Sequence, residues 1–158
     1  MSFRPHSAFR SGNYVNSVDK QPDSIYNGAV IGKIIDGKFE LRNPKMSKVT
    51  SPDPPLYEER ELTKIIATEN TLLELGFTRE EQRNVFLKDG VTLLRVDYEK
   101  EGFSLASLPE GATCAYIPLN KDAGALDNME LTVLVEVAPF NLVFVHEVQN
   151  YLDALRLK

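Results

Sequence analysis

The chain lacks most of the residue types from which disulfide scaffolds and metal centres are built. Its 158 residues include one cysteine, two histidines and no tryptophan. A single cysteine excludes an internal disulfide, and with it the small secreted scaffolds that depend on several such bonds. No apolar run reaches the roughly 18 residues of a membrane span, and the N-terminus has no apolar stretch typical of a secretory signal. We therefore expect no membrane contact and synthesis in the cytoplasm.

Charge is divided unevenly along the chain, whose net charge is −5. Residues 1–48 hold eight Lys and Arg against four Asp and Glu, whereas residues 49–158 hold ten against nineteen. An acidic surface disfavours general binding to nucleic acid, because phosphates need basic partners. The basic front end leaves open a contact with nucleic acid or with an acidic protein surface.

Residues 1–23 have neither a helical nor a strand period. Polar residues, Pro and Gly dominate, and such a segment has too little apolar surface to fold alone. We expect 1–23 to be an extended N-terminal arm and 24–158 to be a single compact domain. The arm is either a solvated tail or an attachment segment, since aromatic and Arg side chains anchor interfaces; base stacking is a third reading. The expected anchors are Phe3, Arg4, Phe9, Arg10 and Tyr14.

Two β-hairpins are predicted from Asp-Gly pairs that separate β-prone runs. The first joins 29–35 to 38–42 across Asp36-Gly37, and the second joins 84–88 to 91–98 across Asp89-Gly90. Further strands are predicted at 103–108, 113–119 and 129–137. The four prolines of 43–56 predict a loop, and residues 58–66 fit a strand or a helix.

Short helical signals lie in the middle of the chain. Thr68 is a candidate N-cap and Gly76 occupies the position of a residue that ends a helix. Thr78 and Glu81 have the spacing of a capping box, which predicts another short turn.

The clearest helix is predicted at 144–158. Val145, Val148, Leu152 and Leu155 form its apolar stripe at a 3.6-residue period. The opposite stripe contains His146, Gln149, Asn150 and Asp153; these side chains either cap a neighbouring loop or face a partner. We count His146, Gln149 and Asn150 among the candidate partner-binding residues. The whole pattern predicts an α+β fold with one mainly antiparallel sheet of short hairpins and the C-terminal helix packed on one face.

No pattern that carries chemistry is found. Residues 146–150 begin like a zinc-protease motif, but Asn150 replaces the second histidine and is a poor zinc ligand. Cys114 lies in a predicted strand without a positive neighbour, so we expect an inert packed thiol. Carboxylate pairs such as Asp122 and Asp127 lie in predicted turns, where solvation is the ordinary role. We expect no enzyme, no cofactor and no metal; a deep pocket lined by His146 or Asp127 would favour a small hydrolase or transferase instead.

Three segments resemble small uncharacterised proteins of phages and prophages of Bacteroidota. They are 68–77 (Thr-Glu-Asn-Thr-Leu-Leu-Glu-Leu-Gly-Phe), the two strands that end near Gly-Phe-Ser-Leu at 102–105, and 145–155 (Val-His-Glu-Val-Gln-Asn-Tyr-Leu-Asp-Ala-Leu). The resemblance covers roughly residues 60–158, and Val148 departs from it by replacing a leucine. It implies a phage-like context and no particular activity.

These observations lead to a non-enzymatic phage-type protein that acts by protein–protein contact. We expect a structural or accessory component of a larger assembly such as a virion, attached to capsid or other subunits through its arm, with self-association left open. The alternative is a regulatory or inhibitory module that binds a host protein or nucleic acid through the basic front end.

Overall fold

The computed structural model describes residues 8–17, 24–43, 55–80, 84–108, 111–119 and 141–156. These residues form two antiparallel sheets and a C-terminal helix, which confirms the predicted α+β class. They divide into two compact units. Unit A contains the described residues within 8–74 and 144–156, and unit B contains those within 75–143. The predicted boundary after residue 23 therefore falls inside unit A.

Unit A has a five-stranded sheet in the order β4-β3-β2-β1-β5. Its strands are β1 (Tyr14–Asn16), β2 (Ala29–Ile35), β3 (Lys38–Arg42), β4 (Leu56–Tyr57) and β5 (Thr63–Lys64). One face carries a cluster of buried apolar side chains: Phe9, Val15, Ile31, Phe39 and Leu62. Burying large apolar side chains contributes about 1.5–3 kcal/mol each, so this cluster is a main source of the unit's stability.

Residues 8–17 belong to this sheet, which corrects the prediction of an extended arm for that part of the chain. Strand β1 lies between β2 and β5, pairing Val15 with Ala29 on one side and with Lys64 on the other. Gly28 permits the close approach, since a Cβ there would lie 2.5 Å from the carbonyl oxygen of Val15. The segment has no period because a three-residue strand is too short to show one.

The first predicted hairpin is confirmed with the predicted bounds. Asp36 and Gly37 have φ values of 51° and 77°, the left-handed conformation that a two-residue turn of this type requires. The register shifts between Ile31 and Ile34, where β2 contains an additional residue.

Residues 58–66, for which the sequence fits a strand or a helix, contain both a helical turn and a strand. A 3₁₀ turn at Glu59–Glu61 precedes β5. Helix α1 (Glu69–Glu74) then begins after Thr68, whose hydroxyl accepts a hydrogen bond of 3.2 Å from the Thr71 amide. The predicted N-cap is thus confirmed, and Gly76 beyond the helix has the expected positive φ of 101°.

Helix α2 (Val145–Arg156) confirms the predicted C-terminal helix, but its first half is buried on more than the apolar stripe. Val145 and Val148 are buried as expected, and so are His146, Glu147 and Asn150. Buried polar side chains need hydrogen-bond partners, and the Glu147 carboxylate accepts a bond of 3.0 Å from the Phe144 amide.

Unit B is a four-stranded meander. Its strands are β6 (Thr78–Glu80), β7 (Val85–Lys88), β8 (Val91–Asp97) and β9 (Cys114–Leu119), hydrogen-bonded in that order. The second predicted hairpin is confirmed, with Asp89 and Gly90 both at positive φ. Beyond β9, Leu142 and Tyr116 exchange two backbone hydrogen bonds of 2.8 Å.

Three predictions about architecture are corrected by this arrangement. Residues 78–80 form strand β6 instead of a turn, because pairing with β7 outweighs the local capping pattern. The predicted strand at 103–108 contains a 3₁₀ turn at Leu105–Ser107, capped by the Ser104 hydroxyl. The expected single sheet is divided into two. The predicted strand 129–137 lies outside the described residues.

Candidate functional site

The predicted partner-binding residues of the arm and of the helix contact each other within unit A. The Phe9 ring lies against the His146 ring, with 4.7 Å between centroids, and neither side chain exposes more than 9% of its surface. Phe144 stacks on His146 at 6.0 Å with an interplanar angle of 20°. The imidazole is therefore enclosed by aromatic rings of its own chain.

Polar side chains of α2 form hydrogen bonds with residues 8–14, the segment that leads into β1. The side-chain amide of Asn150 donates to the Ala8 carbonyl at 2.7 Å and accepts from the side-chain amide of Asn13 at 3.0 Å. Gln149 accepts from the Tyr14 amide at 2.8 Å and donates to the Gly12 carbonyl at 2.9 Å. Three of these bonds pair backbone groups of residues 8–14 with side chains of α2, and the fourth joins the buried side chains of Asn13 and Asn150.

Burial corrects the assignment of Phe9, His146 and Asn150 as residues that a partner would contact. His146 and Asn150 instead belong to the other reading, in which the helix caps a neighbouring segment. Arg10 is exposed, and Tyr14 and Gln149 are half-buried. Phe3 and Arg4 lie outside the described residues. Among the described members of the predicted set, Arg10, Tyr14 and Gln149 retain exposed surface and remain candidates for external contact.

Tyr14 lies beside two residues that the sequence did not single out. Its ring and that of Tyr26 meet at 80° with 6.4 Å between centroids. Burial raises the pKa of Tyr14, and the neighbouring Tyr26 and the charge of Glu74 raise it further. Glu74 accepts hydrogen bonds from the Ser24 hydroxyl and, at 3.0 Å, from the Ile25 amide. We name Tyr14, Tyr26 and Glu74 the tyrosine corner.

A second exposed feature is the end of the first hairpin. Ile34 and Ile35 expose 41% and 46% of their surface, and Leu56 on β4 exposes 39%. The register pairs Ile34 with Phe39 and Ile35 with Lys38, so the two isoleucines lie on opposite faces of the sheet. Leu56 pairs with Glu40 and therefore shares the face of Ile35. We name Ile35 and Leu56 the apolar hairpin surface. Lys33 and Lys38 are exposed beside it. Exposed apolar side chains that share one face of a sheet indicate a contact surface more strongly than single ones do.

Glu40 and Arg42 form an ion pair behind that surface. The Arg42 Nε lies 2.5 Å from Glu40 Oε1, which also accepts a bond of 3.4 Å from the Lys33 amide. The hydrogen bond from Arg42 lowers the pKa of Glu40 below its ordinary value, although burial acts in the opposite direction. The bond from the Lys33 amide to Glu40 joins the irregular part of β2 to β3.

Cys114 in unit B has a positive neighbour, so the prediction that it has none is wrong. The Arg95 guanidinium donates to the Cys114 Sγ at 3.5 Å. The β8–β9 register explains this contact. Arg95 lies opposite Tyr116, and Cys114 lies two residues before Tyr116 on the same face, so Arg95 and Cys114 are diagonal neighbours. A thiol beside a guanidinium is a different environment from the inert strand position that the sequence predicted.

Unit B also contains an open pocket of about 460 Å³ at its hairpin. It is lined by Gly76, Thr78, Leu87, Lys88, Asp89, Gly90, Val91 and Thr92. The Lys88 ammonium donates to the Leu75 carbonyl. His146 is fully buried in unit A, and Asp127 lies outside the described residues. In the part of the chain that the structure describes, no group of three His, Cys, Asp or Glu side chains is placed to hold a metal.

Comparison with known proteins identifies no match among family models, curated proteins or solved structures. Among the described helices, none is long and apolar enough to span a bilayer.

Sequence reasoning missed Asn13, Tyr26 and Glu74. A local signal existed for part of this: Gly12-Asn13 before β-prone Tyr14-Val15 is a typical turn, and Ser24 is a typical cap. The contact between Ser24 and Glu74 joins positions 50 residues apart. Nothing in a single sequence indicates such a long-range pair.

Proposed function

We propose that this protein is a non-enzymatic component of a larger assembly and acts by protein–protein contact. The observation that carries the proposal is the apolar hairpin surface, where Ile35 and Leu56 on one face of the sheet expose about two fifths of their area or more. The phage or virion setting rests on the resemblance of residues 60–158 alone.

The proposed contact uses the hairpin in place of the described part of the predicted arm, residues 8–17. Phe9 of that segment already fills the apolar cluster of unit A, so a partner would have to displace it from its own core. The hairpin surface needs no such rearrangement. Its turn is fixed by Asp36 and Gly37, and the Lys33 amide of β2 donates to Glu40 of β3. A preorganised surface loses less conformational entropy on binding.

Charge distinguishes the kind of partner. Lys33 and Lys38 are exposed on either side of the turn, so the complementary surface on the partner is an apolar depression with carboxylates at its rim. The same lysines are the observation that favours the alternative, in which the hairpin contacts nucleic acid.

Site-directed photo-crosslinking tests the proposal in the particles or cells that contain the protein. A photoreactive amino acid at position 35 should crosslink repeatedly to one protein subunit. The same group at exposed Glu99 in unit B is the matched control and should not capture that subunit. Crosslinking to nucleic acid, or the same products from both positions, would contradict the proposal.

Binding of the captured subunit should then depend on Ile35 and Leu56. Replacing both by Ser should weaken binding by at least about tenfold, because each buried aliphatic side chain contributes about 1.5–3 kcal/mol. Leu105→Ser, which alters an equally exposed residue of unit B, should leave binding unchanged. Raising the salt concentration should have little effect, whereas a phosphate contact would weaken steeply.

A further inference from the structure

The tyrosine corner combines two aromatic walls with a carboxylate. The rings of Tyr14 and Tyr26 stand nearly perpendicular, with centroids 6.4 Å apart, and Tyr26 exposes 41% of its surface. Ring faces attract cations within about 6 Å of their centroids. The Glu74 carboxylate lies beside Tyr26, since it accepts hydrogen bonds from the Ser24 hydroxyl and, at 3.0 Å, from the amide of Ile25, the residue before Tyr26.

Each wall of the corner is held by contacts behind it. Tyr14 lies on β1, and its amide donates to Gln149 at 2.8 Å. Tyr26 lies in a 3₁₀ turn (Ile25–Asn27) that begins at Ser24, whose hydroxyl accepts from the Tyr26 amide at 3.2 Å. Ile25 beneath the turn is almost fully buried. A ligand would thus meet two rings carried on a backbone that is already fixed, which lowers the entropy cost of binding.

Glu74 joins the turn to helix α1 and retains capacity for a ligand. One carboxylate oxygen accepts from the Ser24 hydroxyl and the other from the Ile25 amide. An ionised carboxylate has about four acceptor positions, so two bonds leave room for a further donor.

We propose that the tyrosine corner binds an arginine side chain of a partner protein. Arginine fits because its planar guanidinium stacks on aromatic faces while its N–H groups donate to a carboxylate. The inference deepens the proposed function and rests on it, since it names a second contact and the chemistry that the contact recognises.

Titration with a short peptide tests the site directly. The probe is acetyl-Gly-Arg-Gly-amide, and the readout is the ring signals of Tyr14 and Tyr26 in aromatic NMR spectra, assigned with the Tyr→Phe variants. The arginine peptide should shift both signals in a saturable way. The peptide with neutral citrulline in place of arginine has nearly the same shape and should shift them only at much higher concentration.

Two variants separate recognition from general charge attraction. Tyr26→Ala and Glu74→Gln should each weaken binding of the arginine peptide roughly two- to fivefold, as expected for one exposed cation–π contact or ion pair. Glu69→Gln removes the same charge elsewhere on helix α1 and should leave the affinity unchanged. Equal shifts with citrulline, equal affinity in Glu74→Gln, or no saturable shift would overturn the site.

The test does not depend on the hairpin. If the arginine peptide fails while crosslinking at position 35 still captures one subunit, the tyrosine corner is refuted and the proposed function stands. If the peptide binds as expected and position 35 captures nothing, the corner stands as a binding site while the hairpin contact is refuted.

Discussion

Asn150 is a residue whose polar side chain is entirely enclosed. It donates to the Ala8 carbonyl and accepts from Asn13, so its removal leaves the buried Asn13 side chain and the partly buried Ala8 carbonyl without those bonds. Asn150→Ala should therefore lower the free energy of unfolding by about 1–3 kcal/mol. Urea denaturation measures the change, with Asp153→Ala on the exposed side of the same helix as the control. Equal stability of the two variants would show that the Asn150 bonds contribute nothing.

Glu40 makes the stability of the protein depend on pH. Hydrogen bonding from Arg42 holds the pKa of Glu40 below its ordinary value, so folding favours the ionised form. The resulting stabilisation is present above the pKa of the unfolded chain and is lost as pH falls through the lower folded pKa.

A comparison with Glu40→Gln measures this contribution. The advantage of the wild type in free energy of unfolding should shrink as pH is lowered from about 6 to about 3, the range that spans the ordinary glutamate pKa. Arg42→Gln, which removes the partner that lowers the pKa, should flatten the pH dependence in the same way. Identical pH slopes for the wild type and both variants would contradict the assignment.

Strand β1 is the element on which the five-stranded sheet of unit A should depend most. It lies between β2 and β5, and its segment contributes Phe9 and Val15 to the apolar cluster. Removal of residues 1–22 should therefore abolish the cooperative unfolding of unit A, because its sheet loses an interior strand. Circular dichroism and urea denaturation of the truncated chain provide the measurement. A native spectrum with unchanged stability would mean that the sheet does not need this strand.

Elements with a strong local cause were predictable from the sequence. Both hairpins follow from Asp-Gly turns, and α2 follows from its apolar period. The failures depend on pairing between distant segments. Strand β6 forms because β7 is available to it, and β1 forms because β2 and β5 lie on either side. Local capping signals at 78–81 and the aperiodic composition of 8–17 contain no information about those neighbours.

The candidate site was predictable in part for the same reason. Phe9 and Tyr14 were selected because aromatic side chains suit interfaces, and Gln149 and Asn150 because they lie on the polar stripe of the C-terminal helix. The structure brings all four into one region of unit A. Most of their contacts are with residues of unit A itself. Residue type indicates that a side chain takes part in a contact, but it does not indicate whether the contacting residue belongs to the same chain or to a partner.

For the whole molecule, this placement changes where partners are expected. The segment predicted to attach the protein is built into unit A over residues 8–17, and unit A exposes large apolar side chains at the hairpin, at Tyr26 and at Leu73. The proposed contacts therefore use surfaces that are already folded, and binding should require no ordering of this segment.

Amide hydrogen exchange measured by NMR on the free protein tests that claim most directly. The Gly12 amide donates to the Ile31 carbonyl at 2.7 Å, and the Ile31 amide donates to the Asn13 carbonyl at 2.9 Å. These bonds join the segment to β2, and the Tyr14 amide donates to Gln149 of α2 at 2.8 Å. The amides of Gly12, Tyr14 and Ile31 should therefore exchange slowly and at similar rates. Exchange of Gly12 and Tyr14 at the rate of an unfolded chain, beside a protected Ile31, would contradict the account.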